Sequence, residues 1–243
     1  MLTEYNDYKW DIIVNKENIG FSLLYELEKP DHDLDEITRC ICLMTENELN
    51  ETIYYGSDSI NLLTFAYYNK KMDVFDILID DHNVDINQNM IINGKNQTIF
   101  TIVGDNSDIP TMEKILKRPD LDVNKILYQS TEDNKIWCYW SFYLCLTDDA
   151  LKKMILSHPK LNLNIIMDRY NDFLSDSDHY YIEEDDLKST IIQIIKGSQI
   201  DLNEQDESGE TPLLKSIKYG MDFLLKEFLA QSKIIKNKEN LFV

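Results

Sequence analysis

The chain has 243 residues, a length at which one or two domains are expected. Hydrophobic residues make up 43% of the chain and aromatic residues 11%, which is enough for a packed core and excludes a wholly disordered protein. The 44 Asp and Glu residues outnumber the 24 Lys and Arg residues and give a net charge of −20. This charge argues against binding to nucleic acid or to an anionic membrane, because like charges repel. It favours a basic partner, or a role in solubility alone.

The first residues carry no cationic start followed by an apolar stretch, so no secretory signal is predicted. No window approaches the ~18 apolar residues that a membrane-spanning helix needs. The cysteines are Cys40, Cys42, Cys138 and Cys145, too few for a dense disulfide framework in a chain of this length. We therefore expect a cytoplasmic protein with reduced thiols.

Residues 1–55 are interpreted as an N-terminal cap with a degenerate repeat. Phe21–Leu27 has the spacing of a helix and is followed by the stop sequence Glu28–Asp35. Glu36–Tyr54 supplies a further helical stretch. Terminal repeats are atypical because one of their faces meets water.

The rest of the chain repeats one sequence pattern. In each copy two apolar residues end an amphipathic helix, a polar or proline-containing turn follows, and an apolar-Asp/Asn-apolar-Asn run leads away. The copies are Ile77–Asn87, Ile115–Asn124, Ile155–Asn164 and Ile194–Asn203, with a weaker copy at Phe228–Asn237. Their closing asparagines follow one another at intervals of 37, 40, 39 and 34 residues, which identifies a repeat protein. The pattern predicts that helices end near Leu78, Leu116, Leu156, Ile195 and Leu229.

Local signals support this interpretation. Pro119 and Pro159 stand just beyond two of the predicted helices, where a proline stops a helix without removing an internal hydrogen bond. The Asp or Asn of the closing run is expected to bond its own backbone in a turn. Near the C-terminus, Gly209 predicts a tight turn, and Thr211 an N-cap with Pro212 at the first helical position.

This C-terminal segment predicts a pair of helices. The first helix would turn Leu213, Leu214 and Ile217 inward and end at Gly220, and Met221–Leu229 would form the second. We expect Leu213 and Leu229 to be buried between the last two repeats.

The run Gly209-x-Thr211-Pro212-Leu213, followed by Ser216, Gly220 and a second helix ending in Phe228-Leu229, resembles the ankyrin repeat. That family builds each unit of ~33 residues from a β-turn and two antiparallel helices. Only the last unit keeps Thr-Pro-Leu, and its expected histidine is Leu214. The matching first helices of the earlier units are Ile60–Ala66, Thr98–Val103 and Cys138–Tyr143. The chain holds only three alanines, so longer or looser units are expected.

The resemblance implies an all-α, ankyrin-like solenoid of stacked antiparallel helix pairs, with about five to six repeats and short turns in place of a β-sheet. It covers residues 56–243 as one continuous domain. The approximate units are 56–91, 92–128, 129–168, 169–205 and 206–243.

No motif indicates an enzyme or a cofactor. His32, His82 and His158 fall in polar turns with no nucleophile or carboxylate placed beside them by the sequence, so no catalytic or metal role is expected. Cys40 and Cys42 lack a second pair at zinc spacing and suit core packing better. The acidic stretch 172–186 breaks the grammar of a calcium loop. It is interpreted as a solvated insertion, with capture of a cation or a basic peptide as the alternative.

Aromatic residues on or beside the first helices are the best candidates for contact with a partner, since the resemblance places these helices along a concave groove. The candidates are Tyr67, Tyr68, Trp137, Trp140, Tyr143, Lys218 and Tyr219. Tyrosine and tryptophan give large contact areas at low entropic cost. Several of them could instead fill the space between repeats that alanine leaves.

The sequence thus predicts a monomeric, non-enzymatic scaffold or adaptor that binds a protein with a basic contact surface, without metal or cofactor. One alternative is an adaptor or effector-like subunit that targets a catalytic complex. A divergent solenoid of another helical type, or an enzyme whose site is assembled across repeats, are the others.

Overall fold

The structure is a computed structural model of the chain. It describes residues 31–55, 57–129, 136–138, 148–165, 167–168, 184–197 and 201–231, together with Leu23, Leu27 and Lys29. The chain forms two compact units, an N-terminal unit (Met1–Leu121) and a C-terminal unit (Asp122–Val243).

The N-terminal unit alternates β-hairpins with pairs of helices. In chain order its described elements are α1 (Leu34–Leu43), α2 (Glu46–Leu49), β1 (Ile53–Tyr55), β2 (Asp58–Ile60), α3 (Leu62–Tyr68), α4 (Met72–Asp80), β3 (Met90–Ile92), β4 (Lys95–Gln97), α5 (Ile99–Asp105) and α6 (Ile109–Leu116). Each hairpin is therefore followed directly by two helices.

The C-terminal unit contains one described hairpin and four described helices with defined bounds. These are β5 (Ile126–Gln129), β6 (Ile136–Cys138), α7 (Asp149–Leu156), α8 (Glu184–Gly197), α9 (Pro212–Lys218) and α10 (Asp222–Ala230). Strands β5 and β6 form a two-stranded antiparallel sheet. The predicted first helix Cys138–Tyr143 is wrong at Cys138, which ends β6, and residues 139–143 lie outside the described residues.

The prediction of an all-α fold is wrong. Strands β1 to β4 form a four-stranded antiparallel sheet in the order β1-β2-β3-β4, and Ser59 of β2 pairs with Ile91 of β3. Asn93 and Gly94 join β3 to β4 with φ angles of 51° and 72°. Positive φ at both residues of a two-residue loop matches the twist of paired strands, and Asn-Gly adopts it readily. The fold is consequently mixed α and β.

The helical stretch predicted over Glu36–Tyr54 is correct only in its first part. Helices α1 and α2 lie within or beside it, but Ile53 and Tyr54 belong to β1. Residues of the β-branched and aromatic types favour the pleated surface of a strand. Pairing of Ile53 with Ile60 and of Tyr54 with Ser59 fixes this choice.

The predicted ends of the second helices are confirmed. Helices α4, α6, α7, α8 and α10 end at Asp80, Leu116, Leu156, Gly197 and Ala230, each within two residues of the prediction. The first helices Ile60–Ala66 and Thr98–Val103 correspond to α3 and α5. The inward faces of α3 to α6 form the core of the N-terminal unit, with buried Leu63, Phe65, Phe75, Leu78, Phe100, Val103, Met112 and Ile115.

The loop after each second helix has one repeated structure. The side chain of its Asp or Asn accepts the backbone N–H of the closing asparagine at 2.8–2.9 Å, as the sequence predicted; the pairs are Asp85 with Asn87, Asp122 with Asn124, Asn162 with Asn164 and Asp201 with Asn203. The apolar residues of the run, such as Val84 and Ile86, are buried. Polar and apolar residues therefore alternate because one set shapes the turn and the other anchors it.

In the N-terminal unit, asparagine side chains also join one loop to the next. Asn50 donates from Nδ2 to the carbonyl of Asn83 and accepts the N–H of Asp85 on Oδ1, both at 2.7 Å. Asn87 donates from Nδ2 to the carbonyl of Asp120 at 2.8 Å. These bonds satisfy backbone groups that a turn would otherwise leave unpaired.

The C-terminal unit repeats this arrangement. Asn124 donates to the carbonyl of Lys160 at 2.7 Å and accepts the N–H of Asn162 at 2.8 Å. Asn164 donates to the carbonyl of Glu204 at 2.8 Å. The amide group suits this position because it carries a donor and an acceptor side by side.

Arg118 holds the end of α4 to the loop that follows it. Its side chain is 5% exposed, and its guanidinium donates to the carbonyls of Ile79, Asp81 and Val84 at 2.6–3.0 Å. The same group binds both carboxylate oxygens of Asp120, at 2.7 and 2.8 Å. All five N–H donors of the guanidinium are thus engaged.

The last helix pair differs from the prediction. Helix α9 buries Pro212, Lys215 and Ser216, which follow the i, i+3, i+4 spacing of one helical face. Leu213 is only partly buried, and Ile217 and Leu229 are exposed. The predicted burial of Leu213 and Leu229 is therefore wrong, and the inward face of α9 carries a lysine.

Substitution of the bridging asparagine tests the loop contacts. Asn50→Ala leaves the carbonyl of Asn83 and the N–H of Asp85 without their partner, and we expect it to lower the free energy of unfolding by about 1–3 kcal/mol. The matched control is Asn96→Ala on exposed β4, which should change stability by less than about 0.5 kcal/mol. Denaturant titration measures both, and equal effects of the two substitutions would contradict the bridging role.

Arg118→Lys tests the guanidinium contact. Lysine keeps the charge but cannot make the five-donor arrangement, so we expect a loss of roughly 3 kcal/mol in the free energy of unfolding. The control is Arg39→Lys, because Arg39 is exposed and pairs with Glu36 on the surface of α1. A thermal melt in which both variants match the parent would show that charge alone matters at position 118.

Candidate functional site

Tyr67 and Tyr68 lie in the last turn of α3. The ring of Tyr67 is 6.2 Å from that of Tyr68 and 5.9 Å from that of Phe75, measured between centroids. The Tyr67 hydroxyl accepts a hydrogen bond from Asn106 at 3.4 Å, and burial raises the pKa of its phenol. Tyr67 is therefore a packing residue, whereas Tyr68 is 39% exposed and can contact a partner.

Lys218 and Tyr219 lie at the end of α9. The Tyr219 side chain is 43% exposed, and its hydroxyl donates to Oδ1 of Asp168 at 3.3 Å. Lys218 Nζ lies 5.6 Å from the centroid of the Tyr219 ring and donates to both carboxylate oxygens of Glu210 at 2.9 Å. These hydrogen bonds with Glu210 raise the pKa of Lys218. The contacts orient the Tyr219 ring before any partner binds, which lowers the entropic cost of binding.

Lys215 supports this surface from below. Its side chain is 1% exposed, and its ammonium group is hydrogen-bonded to Asp168 and lies 2.8 Å from Oδ2 of Asp206. Oδ1 of Asp206 accepts the backbone N–H groups of Ser208 and Glu210 at 2.9 and 2.8 Å. Asp168 therefore connects the buried ammonium to the exposed phenol. We call Asp168, Asp206, Glu210, Lys215, Lys218 and Tyr219 the Lys215 cluster.

The two carboxylates keep Lys215 charged. Burial by itself lowers the pKa of this lysine, but the hydrogen bonds to Asp168 and Asp206 outweigh burial, so its pKa is raised overall. The hydrogen bond from Lys215 correspondingly lowers the pKa of Asp206. The buried charge is thus compensated within the C-terminal unit.

The remaining predicted contact residues are placed as follows. Trp137 lies in β6, where its backbone pairs with Tyr128 of β5. Trp140 and Tyr143 lie outside the described residues. The structure therefore brings Tyr67 next to Tyr68 in the N-terminal unit and Lys218 next to Tyr219 in the C-terminal unit.

Two exposed residues of the sheet were not predicted. Tyr54 of β1 is 74% exposed, and Ile91 of β3 is also exposed. Both lie on one face of the sheet, since each pairs with Ser59 between them. The Asn93-Gly94 turn was the sequence signal that could have located this surface.

His32 does have a carboxylate beside it, contrary to the sequence prediction. Its Nε2 is 2.8 Å from Oδ2 of Asp73, and its Nδ1 is 3.2 Å from Nζ of Lys71. An ammonium group only donates, so Nδ1 accepts and Nε2 carries the proton that binds Asp73. Lys71 also donates to the carbonyl of Lys29 at 2.7 Å. The contacts tie residues 29–32 to the start of α4.

Two further searches concern the described part of the chain only. There, no group of three or more His, Cys, Asp or Glu side chains is arranged to hold a metal ion. Cys40 is buried and Cys42 exposed, and both are free thiols. None of the described helices is long and apolar enough to cross a membrane.

Comparison of the chain with models of known protein families, with curated proteins and with solved structures found no match. The ankyrin resemblance accordingly depends on the sequence motif alone, and function has to be argued from the surfaces described above.

Lys215→Met tests the cluster. Removing the ammonium group leaves two carboxylates facing each other, and because both are partly exposed we expect a loss of roughly 1–3 kcal/mol. Lys218→Met removes a surface lysine of the same length as a control and should cost less. Chemical denaturation of the two variants makes the comparison, and a larger loss for Lys218→Met would contradict the supporting role.

The same variant predicts a pH dependence. The Asp206 contribution is complete above its ordinary pKa of 3.8 and is lost as pH falls through the lowered folded-state value. The Lys215 contribution is complete below its ordinary pKa of 10.5 and is lost as pH rises through the raised value. The stability difference between parent and Lys215→Met should therefore be constant between about pH 5 and pH 9 and shrink outside that range. A difference that changes steadily across the range would assign the loss to packing instead.

Proposed function

We propose that the chain is a non-enzymatic scaffold or adaptor that binds a protein partner through exposed aromatic side chains at the ends of its first helices. The observation that carries this proposal is the exposure of Tyr68 and Tyr219, one in each unit, on rigid helical supports. Tyrosine provides a large contact area with two rotatable bonds, and it is enriched among residues that dominate binding energy.

The geometry around Tyr219 supports binding more strongly than catalysis. Lys215, Lys218 and the carboxylates of the cluster are paired with one another, so their charges stabilise the surface. The ring above them is held by Asp168 and Lys218. A fixed aromatic ring surrounded by satisfied polar groups is typical of a protein contact surface.

Kinship with ankyrin repeat proteins is part of the proposal. The order of hairpin, helix, turn and helix recurs twice in the N-terminal unit, and the last repeat carries the Thr211-Pro212-Leu213 motif with Thr211 as N-cap of α9. The resemblance implies a protein-binding role on the side of the first helices.

The net charge of −20 determines the kind of partner that we propose. A strongly acidic surface attracts basic surfaces and speeds their encounter. The partner should consequently carry Lys and Arg around the residues that meet Tyr68 and Tyr219. We place this interaction in the cytoplasm and propose that the chain acts as a monomer.

Affinity capture from the cytosol of the source organism, followed by mass spectrometry, tests the proposal. Proteins retained by the parent chain should be lost with Tyr68→Ala or Tyr219→Ala, and kept by Leu43→Ala, which removes an exposed side chain elsewhere on α1. Retention of the same proteins by all variants, or of none by the parent, would refute the proposed surface.

Kinetics with the purified partner separate ring from charge. Tyr219→Ala should accelerate dissociation by about tenfold, whereas Tyr219→Phe, which keeps the ring and loses the bond to Asp168, should change it much less. Raising the ionic strength to 0.15 M should mainly slow association, because exposed charges are screened over ~8 Å. An association rate that is insensitive to salt would contradict a basic partner surface.

A further inference from the structure

The exposed ring of Tyr54 marks the outer edge of the four-stranded sheet. Strand β1 is at one end of the strand order, and Tyr54 is its central residue. A tyrosine that is 74% exposed on a strand leaves most of its apolar surface in water, which is a cost that a partner could remove. On the other face of the sheet, Ile60, Met90 and Ile92 are buried. The sheet therefore has one packed face and one open face.

The register determines where the backbone of Tyr54 points. Tyr55 pairs with Asp58 across a two-residue loop, and Tyr54 pairs with Ser59. In an antiparallel pair the residues next to such a loop exchange hydrogen bonds and the following residues do not. The N–H and C=O of Tyr54 therefore point away from β2, and within the described residues neither has a hydrogen-bond partner. Such an edge can accept another strand.

Charge selects the partner for this edge. Between Arg39 and Lys70 the sequence contains no Lys or Arg and four carboxylates, those of Glu46, Glu48, Glu51 and Asp58. Glu51, two residues before β1, is exposed. A second copy of this chain would bring equal negative charges together, which is unfavourable. A segment rich in Lys or Arg gains from the same field.

We propose that the outer edge of β1 binds an extended, basic segment of a partner protein as an additional strand of the sheet. The N–H and C=O of Tyr54 supply the main-chain hydrogen bonds, and the Tyr54 ring packs against a side chain on the same face of the added strand. The inference rests on the proposed protein-binding function, and it names a different surface from Tyr68 and Tyr219.

Peptide titration of the full chain, followed by NMR, tests the added strand. The probe is acetyl-Lys-Val-Lys-Thr-Lys-Val-Lys-amide, and its matched control carries methyl groups on two adjacent central backbone nitrogens, which block both of its edges without changing its charge. We expect shifts centred on residues 53–60, slower hydrogen exchange at the Tyr54 amide, and binding at least tenfold tighter than that of the methylated peptide. Equal binding of the two peptides, or shifts centred elsewhere, would overturn the proposal.

A backbone substitution in the protein provides the second arm. Tyr54→Pro removes the outward N–H, and an edge strand tolerates proline where that group is not part of the ladder. We expect this variant to bind the probe at least tenfold more weakly than the parent, and Tyr54→Ala, which loses only the ring, to be weakened less. Parental affinity in Tyr54→Pro would overturn the proposal. If Tyr54→Pro does not fold, the methylated peptide decides the question on the unaltered protein.

These experiments are independent of the native partner. A failure of the peptide to bind at β1 would leave intact a partner that is captured through Tyr68 and Tyr219. Loss of that partner's capture would, in turn, leave a peptide-binding edge intact.

Discussion

The side-chain amide of the asparagine that bridges successive loops is the contact on which the repeated structure depends. A short loop between helices exposes backbone groups that need partners. Asn50 and Asn124 each give one donor and one acceptor to a loop that follows 33 to 38 residues later. The Asp or Asn two positions before the closing asparagine shapes that asparagine's own turn. Because this geometry needs particular side chains at fixed spacing, the loop pattern persists in the sequence where the first helices have diverged.

This dependence explains which parts of the fold could be predicted. The second helices end where the loop motif begins, so their ends followed from Asn87, Asn124 and the equivalent residues. The hairpins consist of strands of three or four residues, too short for an alternating pattern to stand out. Asn93-Gly94 nevertheless carried a strong turn signal, and the resemblance to a helical repeat family led to the wrong expectation of simple turns. Local turn chemistry was the better guide there.

The candidate site shows a second limit of sequence reasoning. Leu213 and Leu214 fit an apolar inward face, but α9 turns Lys215 inward instead. The reason lies elsewhere in the chain, in Asp168 and Asp206, which compensate the buried ammonium group. A charged residue at an inward position is stable only with such partners, and their contact across 47 residues cannot be inferred from the helix alone. Tyr219 was predicted as a contact residue from its type, and its fixed orientation comes from the same carboxylate.

Charge and surface shape divide the work of binding in this molecule. Arg118 and Lys215, two of the few cations, are buried and engaged by neighbouring acceptors, so they contribute to the fold more than to the field outside it. The stretch from Arg39 to Lys70 carries four carboxylates without a cation, and it contains both Tyr54 and Tyr68. Negative potential in this region would gather basic segments without selecting among them. Selection then has to come from fixed contacts, namely the aromatic rings and, at β1, the direction of the backbone hydrogen-bonding groups. A surface of this kind would distinguish partners by the conformation they can adopt as well as by their charge.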